Sequence, residues 1–344
     1  MSRRWRCLAA CAMLLLLAAR GACAQARGAW LPYWAEEDAL EELDALAGRL
    51  DTAVAFAALF DDEDNVFMPE ETARLLDRMQ RLCAGTGTAA ALSVVNDVEL
   101  APGRYENKSG DLLRRLLADE QSVQRHIGQL AALAQDCGVR VLEIDYEDFG
   151  KDAALWARFA AFVAALSERL GGEGIALRVA LSWDAPRYID LPEGPVYTVM
   201  CYNLCGAHSG PGPKADYAFL ESVAALYAPW AGSVRMALAT GGFVWAGGQA
   251  RALTQRDGQA LLETHGVRPV RDADSGALYG AYAQDGALHD VWLADAATLA
   301  AWRDALRARG FAGFDLFRLG GSDMQDMERR FFTGQDGETE EAWP

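Results

Sequence analysis

Between residues 28 and 332, short apolar runs alternate with stretches of helical periodicity, and no linker, low-complexity tract or charge block divides them. The apolar runs fall at 28–34, 52–60, 88–97, 139–147, 175–183, 197–204, 234–243 and 311–320. Between them, EEDALEELDALAGRL places Leu40, Leu43, Leu46 and Leu50 on one helical face, and PEETARLLDRMQRLC opens with Pro69 at a first helical position. Strands rich in small and branched residues, each followed by a helix, need a parallel sheet covered on its outer face. Eight such units predict an α/β fold, a closed (β/α)8 TIM barrel. One irregularity precedes the last unit. YGAYAQDGALHDVW predicts a hairpin turning at Asp285-Gly286, a small insertion between strands seven and eight with a helix on either side.

The ends read differently. MSRRWRCLAACAMLLLLAARGACAQ has a basic start, an apolar run and Ala22-Cys23-Ala24, the layout of a signal peptide at 1–24 cut before Gln25. The expected mature chain is therefore secreted or periplasmic, with one catalytic-sized domain over 25–333 and a polar tail over 334–344. No later segment has the length and apolarity of a membrane span. The full chain carries a net charge of −17, and losing four arginines and no acid with the leader takes it to −21. So acidic a surface excludes nucleic acid and anionic membranes as expected partners. Four cysteines remain, and export permits a disulfide. Cys83 and Cys137 each close a predicted helix ahead of a strand and could pair at one end of a barrel, or all four could be buried thiols.

The stretch VLEIDYEDFG sets Glu143, Asp145 and Glu147 on one face of the fourth strand, with Leu142, Ile144 and Tyr146 on the other. Like charges about 7 Å apart cost on the order of 2 kcal/mol per pair at an effective dielectric near 20. The apolar face must meet helices, so the acids point into the barrel, with Glu147 at the C-terminal end where such barrels hold their active sites. Repulsion and partial burial then raise the pKa of at least one member, leaving a proton donor near neutral pH. A hydrogen-bonded structural cluster or a hard divalent-metal site would use the same residues. His126, His208, His265 and His289 show no ligand-pair spacing, which argues against a transition metal and leaves Mg²⁺ or Ca²⁺ on the acids as the less expected alternative; no metal or other cofactor is called for. Two acids on one strand cannot readily straddle a sugar ring as two flanking carboxylates do. They suit a route in which the substrate's own N-acetyl group attacks the anomeric carbon.

RVLEIDYE at 140–147 resembles the strand-four signature DGxDxDxE of family-18 glycoside hydrolases. MCYNLCG on strand six resembles that family's M-x-Y-D-x-x-G, and VWLADAATLAAWRDALRARGFAGFDLFRLG resembles the closing segment of its spore-cortex and cell-wall branch. The resemblance implies that Glu147 is the general acid/base, that Asp145 orients the N-acetyl group and stabilises the oxazolinium, and that Tyr202 hydrogen-bonds the amide oxygen. It also implies a β-linked N-acetylglucosamine glycan, peptidoglycan or chitin, as the partner. The chain departs from the pattern in four places: Arg140-Val141 for Asp-Gly, Glu143 for the first core aspartate, Asn203 for the aspartate after Tyr202, and Phe317 for a sugar-stacking Trp.

Glu143, Asn203 and Phe317 join Trp34, Trp183, Trp245 and Arg318, all near strand ends, as candidate substrate contacts, since sugars stack on flat amphipathic side chains and arginine binds carboxylates. Asn107-Lys108-Ser109 also fits a glycosylation acceptor. The expected activity is a retaining hydrolase of N-acetylglucosamine polymers. The alternative is a lectin on the same barrel with catalysis weak or lost.

Overall fold

The protein's structure, a computed structural model, describes residues 27–333. The expected leader and tail lie outside them.

Eight parallel strands close on themselves: β1 (Arg27–Pro32), β2 (Thr52–Asp61), β3 (Ala89–Ala101), β4 (Val141–Asp145), β5 (Ala176–Leu181), β6 (Val196–Met200), β7 (Val234–Ala239) and β8 (Gly313–Phe317). Closure comes from β8 pairing both with β7 and with β1, where Gly28 lies opposite Asp315. Helices cover the outside, as eight successive β/α units require. The outer core runs as one cluster from Leu31 through Leu142, Ile144 and Leu166 to Phe332. A smaller inner cluster of Trp30, Val54, Ala91 and Ala237 fills the barrel, with Phe56, Val141, Tyr202 and Phe317 packed on it.

The outward face of β4 is fixed by aromatic packing. Tyr146 donates to or accepts from His126 Nε2 at 2.8 Å, and both rings stack with Phe162 of the helix Ala153–Gly172. Burial pushes the His126 pKa down to about 3, so the ring stays neutral. Fully burying a Phe side chain contributes about 1.5–3 kcal/mol relative to leaving it exposed. That stack therefore strongly disfavours any register that turned the acids outward.

The insertion after β7 is larger than a hairpin. Strands 278–284 and 287–294 do turn at Asp285 and Gly286, both with positive φ. They belong, however, to a five-stranded sheet with Gly241–Ala246, Gln249–Leu253 and Val270–Arg271. The run 234–243, read as one strand, bends at Thr240 because Gly241 takes φ 66° and sits where a Cβ would meet Leu253 O at 2.3 Å. Its first half stays in the barrel and its second half enters the new sheet. Cys83, Cys137, Cys201 and Cys205 are free thiols. No described helix is long and apolar enough to cross a membrane.

Candidate active site

Glu143, Asp145 and Glu147 do lie on the inward side of β4, but their charges are treated very differently. Glu143 is wholly buried; Trp30 Nε1 donates to one oxygen at 2.6 Å and Arg178 Nε to the other at 2.9 Å. Arg178, itself buried, also bonds Asp315 Oδ2 at 3.0 Å, and Asp315 Oδ1 accepts from Arg235 Nε at 2.9 Å. Two acids and two guanidinium groups thus form a charge-balanced network across the barrel floor. Gly28 and Gly313 make room for it: a Cβ at either would lie 2.6 Å from Asp315 Oδ1 or 2.9 Å from Arg235 Cγ. Glu143 was expected to contact substrate. It cannot, because both its oxygens are already bonded below the mouth.

Asp145 stands one step higher. Its Oδ1 is buried without a hydrogen-bond partner. Burial first, then the charges of Glu147 and Glu143, raise its pKa well above the ordinary aspartate value, against the opposing pull of Lys108. The folded chain consequently binds this proton more tightly than the unfolded chain. The sign follows: stability conferred by the protonated form is lost as pH rises from about 4 towards the raised folded value. Asp145→Asn should therefore gain stability over wild type progressively through that range, by about 1.4 kcal/mol for every tenfold fall in proton concentration, read as a Tm difference that grows with pH. A Tm difference that does not change with pH would contradict the assignment.

Glu147 lies at the rim, its side chain 23% exposed, and its Oε1 is 2.7 Å from Lys108 Nζ. Asn96 of β3 holds its backbone from both sides, accepting from Glu147 N at 2.9 Å and donating to Glu147 O at 2.9 Å. This side chain continues the strand pairing past Asp145, where β4 itself ends. A cavity of about 290 Å³ opens beside Glu147, lined among others by Asp148, Lys151, Ser182, Asp184 and Tyr188.

Tyr202, just past β6, stacks on Phe317 with centroids 5.1 Å apart and planes 12° from parallel. Burial, reinforced by Asp145, Glu147 and Glu143, raises its pKa well above that of a free phenol, so it stays a hydroxyl donor. Phe317 meets Trp30 and Phe56 edge to face at 6.0 and 6.4 Å. The mouth therefore has an aromatic floor with acids along one wall.

The other expected contacts divide. Trp34 is 53% exposed beside Phe56, with the Arg318 guanidinium 5.7 Å from its ring centroid. Arg318 also donates to Leu319 O and Gly320 O. Asn203 is exposed. Trp183 is half-buried between Phe219 and the Arg187 guanidinium. Trp245 is a correction: it lies in the insertion sheet beside Phe243 and is only 4% exposed, so it presents no open ring face to a sugar. Sequence reasoning missed Trp30, Asn96, Lys108 and Arg178. Only Arg178 left a signal, as a lone charge within the apolar run IALRVALSW. In Asn107-Lys108-Ser109 the asparagine that would accept a glycan is exposed, while Ser109 is buried and caps the helix Gly110–Leu116 by accepting from Leu112 N. Among the described residues, no group of three or more His, Cys, Asp or Glu is arranged to hold a metal.

No family model matches this chain, and no curated protein matches it in sequence. Solved structures do share its fold. A chitinase from Chromobacterium violaceum superposes with a TM-score of 0.74 at 20% identity, covering 89% of this chain and 98% of that one. The spore cortex-lytic enzyme SleL of Bacillus cereus gives 0.73 at 19%, covering 88% of this chain and 72% of the other. A GH18 chitinase from Cycas revoluta, solved in complex with (GlcNAc)3, gives 0.67 at 17%, with coverage of 88% and 97%. The fold is thus the barrel of family-18 chitinases and of the SleL enzymes.

Proposed function

We propose that this protein is a secreted or periplasmic glycosidase of β-linked N-acetylglucosamine polymers, working with retention through its substrate's N-acetyl group. One observation carries the reading: Asp145, Glu147 and Tyr202 gather at the barrel mouth over the aromatic floor of Trp30 and Phe317. Glu147, at the rim, protonates the leaving glycosidic oxygen. The acetamido oxygen attacks the anomeric carbon from within the same sugar, closing an oxazolinium ring. Asp145 faces the amide nitrogen and offsets the positive charge that develops there. The Tyr202 hydroxyl donates to the acetamido oxygen and aligns it. Water activated by Glu147 then opens the ring on the face the leaving group vacated, so two inversions give net retention. The shared fold with chitinases and a cortex-lytic enzyme supports this substrate class.

The deciding test digests chitin oligomers and purified peptidoglycan in parallel, with mass analysis of the new reducing ends and NMR of the first anomer formed. New N-acetylglucosamine reducing ends in the β configuration are expected. An α anomer appearing first would rule out the mechanism. The Lys108–Glu147 ion pair favours a second reading, a lectin whose acid is occupied. Binding to either polymer without any new reducing end would select it.

A further inference from the structure

Lys108 is anchored far more firmly than an ordinary surface lysine. Its backbone is left-handed at φ 54°, and its amide donates to Asp97 Oδ1 at 2.7 Å. The next residue, Ser109, donates its amide to Asn96 O at 2.8 Å and accepts from Asn96 Nδ2 at 3.2 Å. That same Asn96 side chain grips the backbone of Glu147. At Gly110 a Cβ would come within 2.8 Å of Asp148 O, so the loop bearing Lys108 lies directly against the loop bearing the acid. From this base the ammonium reaches Glu147 Oε1 while its side chain remains 55% exposed. Burial opposes its charge, but Glu147, Asp145 and Asp97 outweigh that and raise its pKa, so it remains an ammonium.

An oxygen that accepts from an ammonium is not free to donate a proton to a glycosidic oxygen. Turnover therefore needs the ammonium to move, and its exposure lets it move without disturbing the anchored backbone. We infer that Lys108 is a latch on the acid, released by a carboxylate carried on a sugar flanking the scissile bond. The ammonium exchanges its ion pair from Glu147 to that carboxylate, and Glu147 takes up one proton from water as it is uncovered. This rests on reading Glu147 as the acid.

The other charged groups around Glu147 are Asp97, Asp145, Asp148, Asp184 and Lys151, so an anionic group arriving there meets favourable charge only at Lys108 and Lys151. A neutral aminoglycan gives the Lys108 ammonium nothing in exchange for Glu147, whereas a carboxylated one does.

The test measures binding and turnover separately. Wild type, Lys108→Met and Lys108→Arg are titrated calorimetrically with an N-acetylated oligosaccharide carrying lactyl carboxylates and with its carboxyl-reduced counterpart. Wild type and Lys108→Arg should bind the carboxylated form more tightly, by at most about fivefold, because one half-exposed ion pair is exchanged for another. Lys108→Met should bind both alike. In turnover, Lys108→Met should raise kcat on the reduced glycan and raise KM on the carboxylated one, a split that general loosening of the loop would not give. A carboxylate preference retained in Lys108→Met, or the absence of one in wild type, overturns the latch. A wild-type preference that vanishes in Lys108→Met, with no hydrolysis by any form, upholds carboxylate recognition by Lys108 and overturns the acid role of Glu147.

Discussion

Glu147→Gln should lower kcat on N-acetylglucosamine oligomers about 10³-fold and leave Kd for the same oligomers nearly unchanged. The magnitude is that of a positioned general acid lost from a step whose leaving group it protonates. Gln keeps the size and planarity of Glu, and Asn96 holds residue 147 by its backbone, so the geometry of the mouth should survive. Lys108 loses its ionic partner, but it is half-exposed and water can solvate it, so little stability is at stake. The measurement is steady-state turnover alongside calorimetric binding. Turnover within tenfold of wild type would remove Glu147 from the acid role. Tighter or weaker binding by more than a few-fold would show that the substitution had altered the site itself.

Arg178→Met should have the largest effect on stability, a loss of about 3–5 kcal/mol. Arg178 bridges Glu143 and Asp315 inside the barrel and is only 2% exposed. Removing it leaves Glu143 with a single neutral donor, Trp30, while Asp315 retains Arg235. An uncompensated buried carboxylate is what makes breaking such a network costly. Asp315 is held below its ordinary pKa by Arg235 and Arg178 in spite of the burial that raises it, so part of that hold disappears too. Denaturant midpoints measure the loss. A double change, Arg178→Met with Glu143→Gln, should recover a clear share of it, since the orphaned charge goes as well. Equal stability of single and double variants would mean that Arg178 acts through packing alone.

How much of this was legible beforehand depended on the range of the interaction involved. The alternation in VLEIDYE fixed which face of β4 carries the acids, because strand periodicity is local and the apolar side chains Leu142, Ile144 and Tyr146 leave them one place to go. The eight-unit repeat likewise led to the barrel. The tally of three mutually repelling acids did not survive, because the groups that answer them lie far away in sequence. Arg178 comes from β5, Trp30 from β1 and Lys108 from the loop after β3. Trp245 failed for a related reason. The run 234–243 just before it looked like a single barrel strand with Trp245 past its end, and only the bend at Gly241 carries residues 241–246 into another sheet.

By itself, then, the chain's order of residues determined the barrel, the inward edge of β4 and the chemical types at its mouth, since these follow from periodicity and from what each side chain can bury. Only the tertiary structure decided which carboxylate is neutralised, which is left with a partnerless oxygen and which is latched. Charge compensation depends on distance through space, and the pairs Trp30–Glu143, Arg178–Glu143, Arg178–Asp315 and Lys108–Glu147 form only when the barrel closes.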